Sequence, residues 1–232
     1  MEKTKSTYGI KKWPKSERPR ELLLDKGPEY VSDAGLVAIL LRTGMKGKDA
    51  VSLARELLEQ FGGLGGLLHA NRKTLEEIKG LGAAKIAQLL AATEIAKRQL
   101  KEEIIGKAII NGPEDVLEYL SLSMSNLKEE VFKVIYLNSA NMVLAIEDLF
   151  KGTVDQSAVY PREVIKRALE LNASGLIFIH NHPSGSLRPS KQDLSLTERL
   201  IKACQAVDLT PLDHLILSAN GHVSFKEKGL FP

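Results

Sequence analysis

Two histidines, a serine and an aspartate fall within one short run near the C-terminal end of the chain, His180-Asn-His182-Pro-Ser-Gly-Ser-Leu-Arg-Pro-Ser190-Lys-Gln-Asp193. Imidazole nitrogens and a carboxylate oxygen are donors for a divalent transition metal. Three of them, with a fourth corner left to water, form a catalytic rather than a structural zinc site. The side chains must converge for this to hold, and the flanking sequence supplies the means. The apolar stretch Leu176-Ile177-Phe178-Ile179 suits a buried strand. Alternate residues of a strand share a face, which aims His180 and His182 together from its end. Pro183, Ser184 and Gly185 then break the strand. Pro189-Ser190 opens a helix whose first turn carries Asp193, facing back toward the loop. The spacing predicts a metal site built from His180, His182 and Asp193.

A plainer reading competes with this one. Ser190-x-x-Asp193 is also the pattern of a helix capping box, and His180 alone could be a strand-end histidine bonded to its neighbours. The metal reading is favoured because strand, histidine pair, turn and aspartate all fall where one ion needs them. The run fits H-x-H-x7-S-x2-D at every position. It resembles the JAMM motif of the JAB/MPN metalloprotease family. The text from Pro161-Arg162-Glu163 through the histidine run to Leu212-Asp213-His214 resembles the RadC-like (UPF0758) branch. The resemblance implies a zinc ion and an upstream glutamate as general base, then acid toward the leaving amine. Glu129 and Glu130 both precede the stretch beginning at Val131, and adjacent strand residues point oppositely, so only one can serve. The family's glutamate directly precedes a Val-Phe pair, which selects Glu130; otherwise both are surface charges at a strand edge. Ser190 takes the family's role of donating toward the carbonyl oxygen as charge develops. Peptide or isopeptide hydrolysis of a protein or peptide substrate is the implied reaction, and RadC-like chains are associated with DNA repair.

The same residues bear on other functions. A docking module that binds a protein partner without turnover would need no such ligand spacing. A metal-dependent nuclease would commonly carry a second-metal carboxylate cluster. A zinc nucleobase deaminase pairs H-x-E with P-C-x-x-C; the chain has one cysteine and neither motif, which excludes it. Asp213-His214 either orients a ligand or is an ordinary strand-edge pair. His69 and His222 show no partner spacing.

The elements that must position these groups fit a chain of 232 residues, 44% hydrophobic and 26% charged, divided as a helical domain over 1–105 and a hydrolase domain over 108–232. The expected class is α/β (α+β). The resemblance implies a cytidine-deaminase-like mixed sheet flanked by helices in the second domain. No apolar run spans a membrane and no signal core follows Met1, and a single cysteine fits a reducing compartment, so a cytoplasmic protein with no membrane partner is expected. Cys204 shares helical spacing with Leu200, Ile201 and Val207, which reads as core. Homo-oligomer formation is left open.

Charge is unevenly spread. Residues 1–107 hold 20 Lys+Arg and 14 Asp+Glu, 20 − 14 = +6, and the remainder hold 12 and 15, 12 − 15 = −3. A basic first half suits a polyanion. It reads as a basic, Pro-punctuated lead-in over 11–20, a helix over 33–42 capped by Ser32, and a helix over 49–61 ended by Gly62-Gly63 and Gly65-Gly66. A short helix around Thr74–Ile78, the turn Gly80-Leu81-Gly82 and a long helix to about Arg98 resemble a helix-hairpin-helix element. In such an element the glycines allow a tight turn, Leu81 plugs the helices, and free N–H groups with Lys85 receive a DNA phosphate without sequence preference. Ile86 stands where the family usually has a small residue; the alternative is a turn in a scaffold.

The second half reads as a helix from Pro113, strands over 130–137 and 142–150, and a further segment over 154–159. A helix over 161–171 follows, with Val164, Ile165, Ala168 and Leu169 inward. Then come the strand 175–182, a helix over 190–207, and strands over 215–218 and 222–225.

Overall fold

The computed structural model describes residues 9–109, 114–125, 127–152 and 159–231. The chain forms two compact units that divide between Ala96 and Lys97.

The first unit is helical. Its Pro-punctuated opening forms two 3₁₀ turns (Ile10–Lys12 and Lys15–Glu17) leading into α1 (Pro19–Lys26). Pro19 occupies a first-turn position, where its missing N–H costs nothing. Arg18 fastens this lead-in by donating from Nε to the Trp13 carbonyl (2.9 Å) and from Nη2 to that of Lys11 (2.7 Å). Ser32 caps α2 (Asp33–Leu41) by accepting from the Gly35 N–H, and Asp49 caps α3 (Ala50–Phe61) by accepting from the Ser52 N–H. Gly62, at φ 71°, ends α3 in the left-handed region.

Gly65 and Gly66 do not end a helix; they lie inside one, α4 (Leu64–Leu68). The reason is close approach: a Cβ on Gly66 would sit 1.8 Å from the Phe61 carbonyl oxygen. Leu67 of α4 joins Leu53, Leu57, Leu75, Leu81 and Ile86 in the core of this unit. After α5 (Arg72–Glu76) the chain turns through Gly80-Leu81-Gly82 into α6 (Ala83–Ile104), which runs beyond the expected end near Arg98. Gly80 is required, because its φ is 98° and a Cβ there would meet Met45 Sδ at 2.7 Å.

In the second unit α7 (Glu114–Met124) precedes β1 (Val131–Leu137), β2 (Val143–Lys151), α8 (Pro161–Glu170) and β3 (Gly175–Asn181). α9 (Lys191–Gln205), β4 (Thr210–Ser218) and β5 (Gly221–Ser224) complete it. The strands form one mixed sheet in the order β2-β1-β3-β4-β5, parallel only between β3 and β4. The expected segment over 154–159 falls almost wholly outside the described residues.

β1 and β3 are buried along their whole length, and period-two alternation sorts their side chains between two cores. Val131, Ile135, Ile177 and Ile179 meet Val116, Leu120 and Met124 of α7. Phe132, Val134, Leu176 and Phe178 face Val164 and Ala168 of α8 and Leu196, Leu200 and Cys204 of α9. Burying each phenylalanine stabilises this layer by roughly 1.5–3 kcal/mol. Leu169, expected inward, is 56% exposed, because it stands about 100° around the helix from Ala168 and outside the stripe set by Val164 and Ala168. Val207 lies past the end of α9 and is exposed too.

Candidate metal centre

The crossover through α9 makes β3 and β4 parallel neighbours, so the carboxyl end of β3 opens beside the start of α9. Open α/β sheets place ligands at such strand ends. His180 is the last-but-one residue of β3 and His182 follows the strand, both on the α9 side. Asp193 is the third residue of α9.

These three side chains converge. His180 Nε2 lies 3.0 Å from His182 Nε2 and 3.3 Å from Asp193 Oδ1, while His182 Nε2 lies 3.4 Å from Asp193 Oδ2. One ligand atom from each residue falls within 4.8 Å of the others. His182 Nδ1 sits 3.0 Å from the Ser186 carbonyl. A carbonyl can only accept, so Nδ1 carries a proton, and Nε2 holds a lone pair in the neutral ring and a second proton toward Asp193 in the charged one. Two nitrogen donors and a carboxylate turned toward one point fit a transition-metal ion, and the set contains no thiolate.

The capping box is present as well. Ser190 Oγ accepts from the Asp193 N–H at 3.1 Å, and Asp193 Oδ2 accepts from the Ser190 N–H at 2.7 Å. The two readings of Ser190-x-x-Asp193 are therefore compatible: the cap is what aims the carboxylate. Burial would raise the Asp193 carboxyl, but the His180 and His182 imidazoles beside it outweigh that and hold the group well below the usual carboxylate range. His182 is raised by its bond to Asp193, against the opposing effect of burial.

Glu130 immediately precedes β1. Phe132 pairs with His180 in the antiparallel β1–β3 ladder, and Glu130 stands two residues before it, just ahead of the strand. Its charge contributes to raising His182. Glu129 is exposed. Asn181 fixes this junction: fully buried, it accepts from the Val131 N–H (2.8 Å) through Oδ1 and donates from Nδ2 to the Glu129 carbonyl (3.0 Å). Sequence reasoning passed over Asn181, since alternation sends it away from the two histidines. The signal available was a polar residue inside a strand otherwise apolar on that face.

His214 and Thr197 also stand behind the site. His180 Nδ1 lies 2.9 Å from His214 Nε2, and His214 Nδ1 lies 2.6 Å from Thr197 Oγ1. Burial, followed by the neighbouring His180, pushes His214 well below the ordinary histidine range. Asp213 serves the backbone instead, accepting from the His214 N–H (2.7 Å), the Lys226 N–H (3.0 Å) and the Ser224 hydroxyl (2.5 Å). Thr197 was legible as the residue one turn after Asp193 on the same helix face. His69 and His222 are not part of the metal cluster. Cys204 is fully buried, its thiol pushed up to about 12 by burial, as expected of a core position.

Away from this centre, the structure gives Lys85 a role different from the expected phosphate contact. Its ammonium donates to the carbonyls of Gly44 (2.8 Å) and Gly80 (2.9 Å), bracing the turn. Leu81 is buried in the core as a plug should be, and Gly82, Ala83 and Ala84 are exposed at the start of α6.

The pH response follows from His182. A histidine raised in the folded state contributes stability that is fully present below its unfolded value, about 6.5, and lost as pH rises through the folded value. Binding of a zinc ion at the cluster would have the opposite slope, because it needs the neutral ring. Metal-free protein should thus melt at falling temperature as pH climbs above about 6.5, while added zinc stabilises it increasingly. Paired thermal melts with zinc and with chelator check the crossing.

A three-donor cluster at the carboxyl end of a central strand marks an α/β domain with a candidate metal site. The family model described as "RadC-like JAB domain" matches residues 110–230, and that described as "UPF0758 N-terminal" matches residues 10–87. The chain is 50% identical over 221 residues to a UPF0758 protein of Nitrosospira multiformis, covering 95% of this chain and 99% of that one. It is 49% identical over 221 residues to one from Nitrosomonas eutropha, with the same coverage. A third, from Ralstonia nicotianae, is 49% identical over 220 residues, covering 95% and 98%. The chain belongs to the RadC-like, UPF0758 family. Among the described residues no helix is long and apolar enough to cross a membrane.

Proposed function

We propose that this protein is a zinc-dependent hydrolase of the JAMM type that cleaves peptide or isopeptide bonds. The observation carrying this reading is the convergence of His180 Nε2, His182 Nε2 and the Asp193 carboxylate on one point. A zinc ion held there would supply a water acidified to a pKa near 7 and a Lewis acid for the scissile carbonyl. Glu130 takes the proton of the attacking water and returns it to the leaving amine. Ser190 accepts the Asp193 N–H through its hydroxyl oxygen, which leaves the hydroxyl proton for the carbonyl oxygen as negative charge builds. Zinc analysis of the purified protein, coupled to a screen of peptide and isopeptide substrates, tests the proposal. About one zinc per chain with chelator-sensitive turnover is the expected result; zinc without turnover in any arm would favour the docking module.

DNA phosphate is the proposed partner of the first unit, in a cytoplasmic setting and in keeping with the family's association with DNA repair. Support comes from the +4 balance of the first unit, residues 1–96 (16 Lys+Arg − 12 Asp+Glu), and from exposed backbone at the start of α6. A Cβ on Gly82 meets nothing within 4 Å, so Gly82→Val tests contact with little packing cost, and it should weaken binding. Lys85→Met should chiefly lower stability, since it removes both braces of the turn. Anisotropy titrations of the full chain against duplex and branched DNA over a salt series check this. A salt-independent signal, or none, would leave the hairpin as scaffold.

A further inference from the structure

Thr197 and His214 are buried behind the metal cluster, and the direction of each hydrogen bond between them is fixed. Thr197 Oγ1 lies 2.6 Å from the main-chain carbonyl of Asp193, one turn back on α9, and 2.6 Å from His214 Nδ1. A carbonyl only accepts and a hydroxyl has one proton, so Thr197 gives that proton to Asp193 and accepts from His214. Nδ1 of His214 is therefore protonated. Its ring is packed among Phe132, Phe178 and Phe225 at centroid distances of 5.8, 6.0 and 4.8 Å. A second proton would place a charge in that apolar surround facing another imidazole, at high desolvation cost. A neutral ring protonated at Nδ1 presents a lone pair at Nε2, 2.9 Å from His180 Nδ1. His180 must donate there, which leaves its own Nε2 lone pair turned toward Asp193 and His182.

We propose that Thr197 and His214 are positioning residues that lock His180 in the tautomer able to ligate a metal through Nε2. The relay begins on the backbone of Asp193 and ends at His180, whose Nε2 lone pair faces the Asp193 carboxylate at 3.3 Å, so a metal ion would be needed to join the two ligands. Histidine ligands usually give their other N–H to a carboxylate, a carbonyl or water. Here the acceptor is a neutral ring, which fixes orientation without adding negative charge. Asp193 is then the one anion in the donor set, and the centre keeps a net positive charge with a divalent ion. The purpose of the lock rests on the proposed metal centre; the tautomer itself is readable without metal.

The test uses the full-length protein. Long-range ¹H–¹⁵N correlation spectra of the ring nitrogens, recorded metal-free at about pH 9 where histidines are neutral, report the tautomer of each of its 5 histidines. Wild type and Thr197→Ser should show His180 and His214 protonated at Nδ1. In the near-isosteric Thr197→Val, His180 should gain a population protonated at Nε2. Zinc affinity by chelator competition should fall ~10–100-fold in that variant and stay at the wild-type level in Thr197→Ser. His180 protonated at Nε2 in wild type would overturn the proposal, as would unchanged tautomer and affinity in Thr197→Val. Should Thr197→Val not fold, the wild-type spectrum alone decides. Correct tautomers with no zinc uptake by wild type would remove the metal reading and leave the relay standing.

Discussion

Glu130→Gln is expected to retain zinc and lose most turnover. The amide keeps the shape of the carboxylate but takes no proton, and a positioned general base commonly contributes ~10²–10⁴-fold. Glu130 lies two residues before the Phe132–His180 pair and outside the three-donor cluster, which is why metal content and activity should separate. Glu129→Gln is the matched control, because Glu129 is exposed. It should change neither property. Parallel zinc and turnover assays on these variants decide the matter. Full activity in Glu130→Gln would move the base elsewhere, and full activity with the zinc stripped would assign the hydrolysis to a contaminant.

His182→Ala should abolish stoichiometric zinc while leaving the secondary structure in place. Three protein donors leave no spare: with one removed, an imidazole and a carboxylate remain, too few for a tight site. Little folding cost is expected, since His182 lies just beyond β3 and is not part of either core of the second unit. His180→Ala should lose zinc too, but with a larger stability loss, because that ring is 2% exposed and bonded to His214. Metal analysis and far-ultraviolet circular dichroism read both. Full zinc occupancy in His182→Ala would sink the ligand assignment.

Much of this was legible in the sequence because the decisive spacings are local. Strand alternation carried His180 and His182 to one face, and a single helical turn related Ser190 to Asp193. The same holds for the cap at Ser32, whereas Asp49, expected as the first residue of its helix, is its cap. What escaped was set by distant partners. α4 forms across two glycines because Gly66 admits the Phe61 carbonyl, a contact no propensity encodes. Asn181 acquires its role from residues 50 and 52 positions earlier in the chain. His214 reaches the site only because β4 lies parallel to β3, a pairing that becomes definite once α9 is known to cross over. Lys85 reads from the sequence as a phosphate contact, and only the fold brings the Gly44 carbonyl to it. Leu169 shows the converse: the helix was right, but the inner stripe was drawn one residue too wide.

The donor set has a consequence for chemical resilience. Zinc centres built on cysteine thiolates release their metal when disulfides or peroxides oxidise the sulfur. This cluster offers only nitrogen and oxygen, and the chain's 1 cysteine is sealed in the sheet–helix core with its thiol held protonated. Thiol oxidants therefore find neither a ligand nor an accessible nucleophile, and the centre keeps its donors under conditions that empty a thiolate site.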